Sequence, residues 1–120
     1  MKFLGTGSAL PKKVVSNDDL AQVMDTSDEW IRSRTGIGMR HIAVEETTTS
    51  MAVEAAEKAL ADAKISGCEI DLIIAGTISP DYIFPSLACE VQAAIGAKSA
   101  TAFDPVSYTH LRAHETGRNL

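Results

Sequence analysis

The sequence predicts an α/β layered fold, and three observations carry that expectation. A small-residue helical stripe runs through residues 50–63, a short apolar run follows at Ile70–Ala75, and a second helix leads into another short strand between residues 85 and 103. Helix alternating with buried strand is the pattern of a largely parallel, mixed sheet flanked by helices.

Taken in order, Phe3–Gly7 reads as a strand running into a loop at Pro11. Gly5-Thr-Gly7 hints at a dinucleotide fingerprint, but position 10 is Leu10 and a proline stands where the helix should start, so a turn fits better. Ser16-Asn-Asp-Asp-Leu20 reads as a cap and a short helix to about Met24. A helix carrying Trp30 comes next and stops before Gly36, and Met39–Val44 fits an edge strand. Thr47–Ser50 caps the helix that continues to Ala63. Its stripe of Ala52, Ala55, Ala56, Ala59, Leu60 and Ala63 recurs at helical spacing and lets a neighbour approach closely. Ile70–Ala75 suits a buried strand, Thr77–Phe84 a loop, and Pro85 a first helical position in a helix ended by Gly96. Thr101–Phe103 completes the alternation.

Composition narrows the function classes. A chain of 120 residues with 45% hydrophobic and 22% charged residues is ordinary for a globular protein. A net charge of −5 without a basic stripe argues against nucleic acid. No apolar run approaches the ~20 residues that span a bilayer, and no signal peptide is expected. Two cysteines in unlike contexts fit a reduced, cytoplasmic setting.

The segment Asp25–Ile37 carries the single tryptophan between acids and arginines. Thr26 and Glu29 have capping-box spacing, and in the helix so begun Thr26, Trp30 and Arg34 share one face. A hydroxyl, an aromatic plane and a guanidinium suit a flat anionic ligand such as a nucleotide. A half-buried tryptophan with the arginine lying over it as a cation–π pair fits the same spacing.

Other reactive side chains read as structural. Cys68 fits an inert surface or half-buried thiol, Cys89 a small buried core residue, and His41 a solvated or hydrogen-bonded surface histidine. The pairs Asp18–Asp19 and Glu45–Glu46 fit solvated faces. His110 and His114 have helical spacing but neither a third ligand nor a metalloprotease glutamate, so no metal site is expected.

Gly5–Pro11, Asn17–Leu20, Asp25–Ile37, Asp81-Tyr-Ile-Phe-Pro-Ser86 and Ala102-Phe-Asp104 follow one another as in β-ketoacyl-acyl-carrier-protein synthase III, which the chain resembles over residues 2–104. The resemblance implies a partial thiolase-like fold. It also implies a homodimeric parent enzyme that condenses acetyl-CoA, or another short acyl-CoA, with malonyl-acyl-carrier protein to initiate type II fatty-acid synthesis. Coenzyme A thioester is then a substrate, and no further cofactor is implied. By the same resemblance Trp30 stacks on the adenine of coenzyme A, while Thr26 and Arg34 contact the adenine and phosphate end. Phe84 matches a residue that reaches across a dimer interface to the partner's acyl pocket; an ordinary core aromatic is the other reading. The family's nucleophilic cysteine would fall five positions beyond Asp104, where this chain has Thr109, and its histidine and asparagine would lie further on.

From Pro105 the resemblance ends. Pro105–Thr116 reads as one frame of a translated transposon-end sequencing adaptor, so residues 105–120 are expected to be a non-native tail on an N-terminal segment, residues 1–104. Such a segment is expected to lack condensing activity and to be poorly stable. Related thiolase-fold synthases (polyketide or alkylquinolone starter enzymes, hydroxymethylglutaryl-CoA synthase) and a non-catalytic coenzyme A-binding module are the competing expectations.

Overall fold

Short local signals start and stop almost every element of the structure, a computed structural model that describes residues 2–105. Two units divide the chain: Leu10–Glu46, and the residues on either side of it.

In the Leu10–Glu46 unit, β1 (Lys13–Ser16) pairs antiparallel with β2 (Met39–Ile42), with Lys13 opposite Ile42 and Ser16 opposite Met39. Between them lie α1 (Asn17–Ala21) and α2 (Asp28–Thr35). Strand β1 carries Val14 and Val15 but is too short to show a period in the sequence. Ser16 caps α1 as expected, and Asp19 completes a capping box by accepting from the Ser16 N–H at 2.8 Å. Asp19 is therefore more than a solvated charge: the Ser16 hydroxyl and N–H hold its carboxyl below the ordinary carboxylate value.

Asn17 is the largest fully buried side chain among the described residues, 1% exposed. Its Nδ2 donates to Asp28 Oδ1 at 2.7 Å and to the Ile37 carbonyl at 2.8 Å, and its Oδ1 accepts from the Arg40 guanidinium. One amide thus joins α1, α2 and β2. Such a side chain is stable in the interior because every polar atom finds a partner.

Glu46 performs a similar task at the end of the unit. Its carboxylate accepts from the N–H groups of Lys12 at 3.0 Å, Val44 at 3.2 Å and Glu45 at 3.4 Å, so the solvated-pair expectation fails for this residue as well. Those donors, Lys12 foremost, lower its carboxyl pKa from 4.5 to about 2. Since the folded value lies below the unfolded one, the anchor is fully present above about pH 4.5 and is lost as pH falls through about 2. An NMR titration of the side-chain carboxyl is expected to give a midpoint near 2; a midpoint near 4.5 would show that the anchor does not form. His41, exposed on β2, places Nδ1 2.6 Å from the Pro11 carbonyl, matching the surface histidine expected.

The other unit is built on α3 (Thr48–Ala63), capped by Thr47 in a capping box with Ser50. The alanine stripe forms as read: its six residues are half-buried, while Glu54, Glu57, Lys58 and Asp62 are exposed. Residues 2–9 run along this helix. Phe3–Gly7 is not a strand: no described strand pairs with it, and the Thr6 N–H donates instead to Asp62 Oδ2 at 2.9 Å. Gly5 and Gly7 lie so close to α3 that a Cβ would run into the backbone at Ala63 and Ala55. Their glycines therefore permit close packing, not a phosphate cradle.

Beyond a 3₁₀ turn at Gly67–Glu69, β3 (Leu72–Ile74) pairs in parallel with β4 (Thr101–Phe103), joined through α4 (Leu87–Ile95). The described sheets are thus one antiparallel and one parallel pair, short of the largely parallel sheet expected. Nor is β3 a buried strand: Leu72 and Ile74 are each 52% exposed, because a two-stranded sheet leaves side chains of both strands uncovered. Pro85 precedes the cap instead of opening α4. The Ser86 hydroxyl accepts from the Cys89 N–H at 3.3 Å, which fixes the start at Leu87. Gly36 and Gly96 end α2 and α4 in the left-handed conformation, with φ of 73° and 72°.

The apolar core sits on α4 and just after it, at Leu87, Ala88, Val91 and Ala97. Cys89 is half-buried beside it and Cys68 is exposed, with Sγ 3.7 Å from the Gly96 carbonyl. Phe3, Leu4, Ala56, Leu60, Ile73 and Val91 line an open apolar hollow of about 410 Å³.

Candidate functional site

Local capping chemistry, not Thr26, begins the tryptophan helix. The Ser27 hydroxyl accepts from the Trp30 N–H at 3.2 Å, so α2 starts at Asp28 and the expected Thr26–Glu29 capping box does not form. Thr26 lies one residue outside the cap and shares no helical face with Trp30 and Arg34. It nevertheless lies beside the indole: Asp25, Thr26, Ser27 and Trp30 line one hollow of about 360 Å³.

Trp30 is 54% exposed, an unusual position for the chain's single tryptophan. Arg34, one turn on, places its guanidinium 4.7 Å from the centre of the indole ring. The cation–π pair read from the spacing is therefore present, and it coexists with an open aromatic surface beside Thr26. An exposed indole carrying a guanidinium offers stacking area and positive charge together, a combination suited to a base with an attached phosphate.

The helix under this surface is held firmly. Arg32 donates through Nε to both oxygens of Asp28 at 2.8 Å, and Asn17 donates to the same carboxylate. The Asn17 amide first, and Arg32 second, keep the Asp28 carboxyl below its ordinary value. At the other end the Gly36 N–H closes the helix onto the Arg32 carbonyl at 2.8 Å. In the sequence Asn17 is one more polar residue in the capping run Ser16-Asn-Asp-Asp, with no local signal of its role. Its place between Asp28, Ile37 and Arg40 depends on segments 11 to 23 residues away.

Phe84 belongs to the other unit and is 88% exposed. With Ile78, Tyr82, Ile83 and Phe103 it lines an apolar hollow of about 550 Å³. Among the described residues no group of three His, Cys, Asp or Glu side chains could hold a metal ion, and no helix is long and apolar enough to cross a membrane. Thr109, the His110–His114 pair and the adaptor-like tail beyond Pro105 lie outside the described residues.

No family model matches the chain. Individual proteins do. It is 60% identical over 103 residues to β-ketoacyl-[acyl-carrier-protein] synthase III 1 of Bacillus anthracis, covering 85% of this chain and 33% of that protein. It is 56% identical over 104 residues to the synthase III of Xylella fastidiosa (strain Temecula1), covering 86% and 32%. Among solved structures, 3-oxoacyl-[acyl-carrier-protein] synthase III from Aquifex aeolicus VF5 superposes with a TM-score of 0.83 at 55% identity, over 87% of this chain and 34% of that one. The priming β-ketosynthase of the R1128 polyketide pathway gives 0.82 at 37% identity, over 87% and 31%. The chain thus spans about a third of the length of the curated relatives it matches. Sequence and backbone agree that it corresponds to the N-terminal third of a β-ketoacyl-acyl-carrier-protein synthase III-like condensing enzyme, with part of the thiolase-type fold.

Proposed function

We propose that the whole protein is an acyltransferase that initiates fatty-acid synthesis, and that this segment supplies its adenine-end coenzyme A surface. The observation that carries the reading is the exposed Trp30 indole beside Thr26 with Arg34 over its ring. In this reading the adenine stacks on Trp30, Thr26 offers a hydroxyl at its edge, and Arg34 meets the phosphate end. The acyl-CoA so held delivers its acyl group to a cysteine thiolate, releasing coenzyme A thiolate. Decarboxylation of malonyl-acyl-carrier protein then frees carbon dioxide and a carbanion equivalent, which takes the acyl group and regenerates the cysteine. Phe84 contributes to the acyl pocket across a homodimer interface, and its near-complete exposure supports that assignment. The setting is cytoplasmic, in keeping with two free thiols.

The nucleophile is missing from this sequence, because Thr109 stands where the cysteine would fall. Residues 1–104 in this reading bind but do not condense, and residues 105–120 are a foreign tail. Purified chain incubated with acetyl-CoA and malonyl-acyl-carrier protein is expected to yield no β-ketoacyl product, while coenzyme A shifts the Trp30 indole N–H resonance. Turnover would refute the missing-nucleophile reading, and an unmoved resonance would refute the coenzyme A surface. A starter synthase of polyketide assembly is the second reading, favoured by the 37% identity to the R1128 priming enzyme. Priming assays of the full-length gene product with different acyl-CoAs separate the two.

A further inference from the structure

The loop between β3 and α4 exposes Ile83 and Phe84, each 88% accessible, with Ile78 and Tyr82 beside them. Free apolar side chains of this size ordinarily collapse onto the nearest apolar surface. Here the loop is pinned on both sides of its tip. Before the tip, Asp81 accepts from the Thr48 N–H at 3.1 Å and the Thr49 N–H at 2.6 Å, and the Thr48 hydroxyl donates to the Ser79 carbonyl at 3.1 Å. After it, Asp104 at the end of β4 accepts from the Leu87 and Ala88 N–H groups at 2.7 and 2.8 Å, fixing the start of α4. Tyr82–Pro85 is left as a short span between two fixed points, and a short span has few conformations available.

Helix α3 does not depend on Asp81 for its cap. Thr47 accepts from the Ser50 N–H at 3.1 Å, and the Thr47 N–H donates to the Ser50 hydroxyl at 2.9 Å. Asp81 takes the two first-turn amides that this box leaves free, where a carboxylate gains from the helix dipole as well as from the bonds. The contact therefore serves the loop more than the helix.

We propose that Asp81 is a positioning residue, whose carboxylate clamped across the first two amides of α3 sets how the apolar tip Tyr82–Phe84 is presented. Its consequence for acyl transfer rests on the reading of Phe84 given above, whereas the anchoring itself does not. The experiment therefore reads the anchoring alone, without ligand, and its outcome is independent of whether coenzyme A binds.

Chymotrypsin cleavage after Tyr82, followed by mass spectrometry on the full 120-residue chain, reports the freedom of the tip; Phe84 resists because Pro85 follows it. In Asp81→Ala the cleavage is expected to rise about ten-fold while helical circular dichroism is unchanged. Asp81→Asn keeps one acceptor oxygen and should fall between the two. Thr48→Pro provides an independent route: proline is tolerated at the first helical position, and it removes the Thr48 amide and hydroxyl from the loop while leaving the Thr49 amide on Asp81. It should raise cleavage above the parent chain but less than Asp81→Ala does. Cleavage in Asp81→Ala and Thr48→Pro indistinguishable from the parent chain would overturn the proposal. So would faster cleavage accompanied in both by a matching loss of helical signal, since Asp81 would then serve the helix and not the tip.

Discussion

Replacing Asn17 with alanine is expected to unfold the Leu10–Glu46 unit. The change removes the amide that Asp28, the Ile37 carbonyl and Arg40 all share, and it strands a guanidinium and a carbonyl where the amide excluded water. Hydrogen bonds to charged groups contribute about 1.5–3 kcal/mol each, and an interior group left without a partner loses a comparable amount. A destabilisation of roughly 3 kcal/mol or more follows from those figures. Segments below about 40 residues seldom fold on a hydrophobic core alone, and this one has no fully buried apolar side chain to fall back on. The single tryptophan makes the measurement simple, because its one indole N–H resonance reports this unit. In Asn17→Ala the resonance should collapse to a random-coil position. A native position with an unchanged thermal transition would mean that the shared amide does not hold the unit together. Asn17→Asp is the sharper comparison. It keeps the acceptor for Arg40 but faces the Asp28 carboxylate with a second one, so it should be nearly as damaging at neutral pH.

Replacing Trp30 with alanine is expected to weaken coenzyme A binding ten- to hundred-fold. Base–aromatic stacking contributes about 1–3 kcal/mol on alanine substitution, and each 1.4 kcal/mol is ten-fold in affinity. The indole is half exposed, so its removal opens no core cavity, and the helix retains its Ser27 cap and the Asp28–Arg32 pair. The affinity loss should therefore come without a loss of fold. Calorimetric titration of the parent chain and of Trp30→Ala with coenzyme A measures it directly. Arg34→Lys divides the remaining contributions: it keeps the charge but loses the planar fork that lies over the ring. If Arg34 meets phosphate only as a charge, Arg34→Lys binds like the parent; if the fork matters, it weakens several-fold. Equal affinity in the parent chain and Trp30→Ala would place the nucleotide elsewhere.

Much of the fold was legible wherever a signal is local. Ser16, Thr47, Gly36 and Gly96 start or stop their helices as read, because a cap needs only the residues beside it. The alanine stripe on α3 and the short strand at Thr101–Phe103 were equally legible. Errors arose where a partner decides. Phe3–Gly7 has strand composition but no ladder to join, and its glycines turned out to serve α3. Ile70–Ala75 is apolar enough to be buried, yet strand β3 within it has only β4 beside it. At the site the Trp30–Arg34 pairing was readable from its one-turn spacing. Thr26 was assigned to the right neighbourhood for a wrong reason, because Ser27 competes for the cap one residue on.

The sequence by itself determined which segments are helical and where α2, α3 and α4 end, the α/β alternation, the Trp30–Arg34 pair and the likeness to a synthase III. Each depends on residues a few positions apart, or on a motif read in one line. Only the tertiary structure decided that Asn17 is the hub of its unit, that Glu46 and Asp81 are anchors and not solvated charges, and that Phe84 stands in solvent. Those facts depend on which amides and carbonyls arrive from 20 or more residues away, Ile37 beside Asn17 and Asp81 beside Thr48 among them, and no local pattern encodes that arrival.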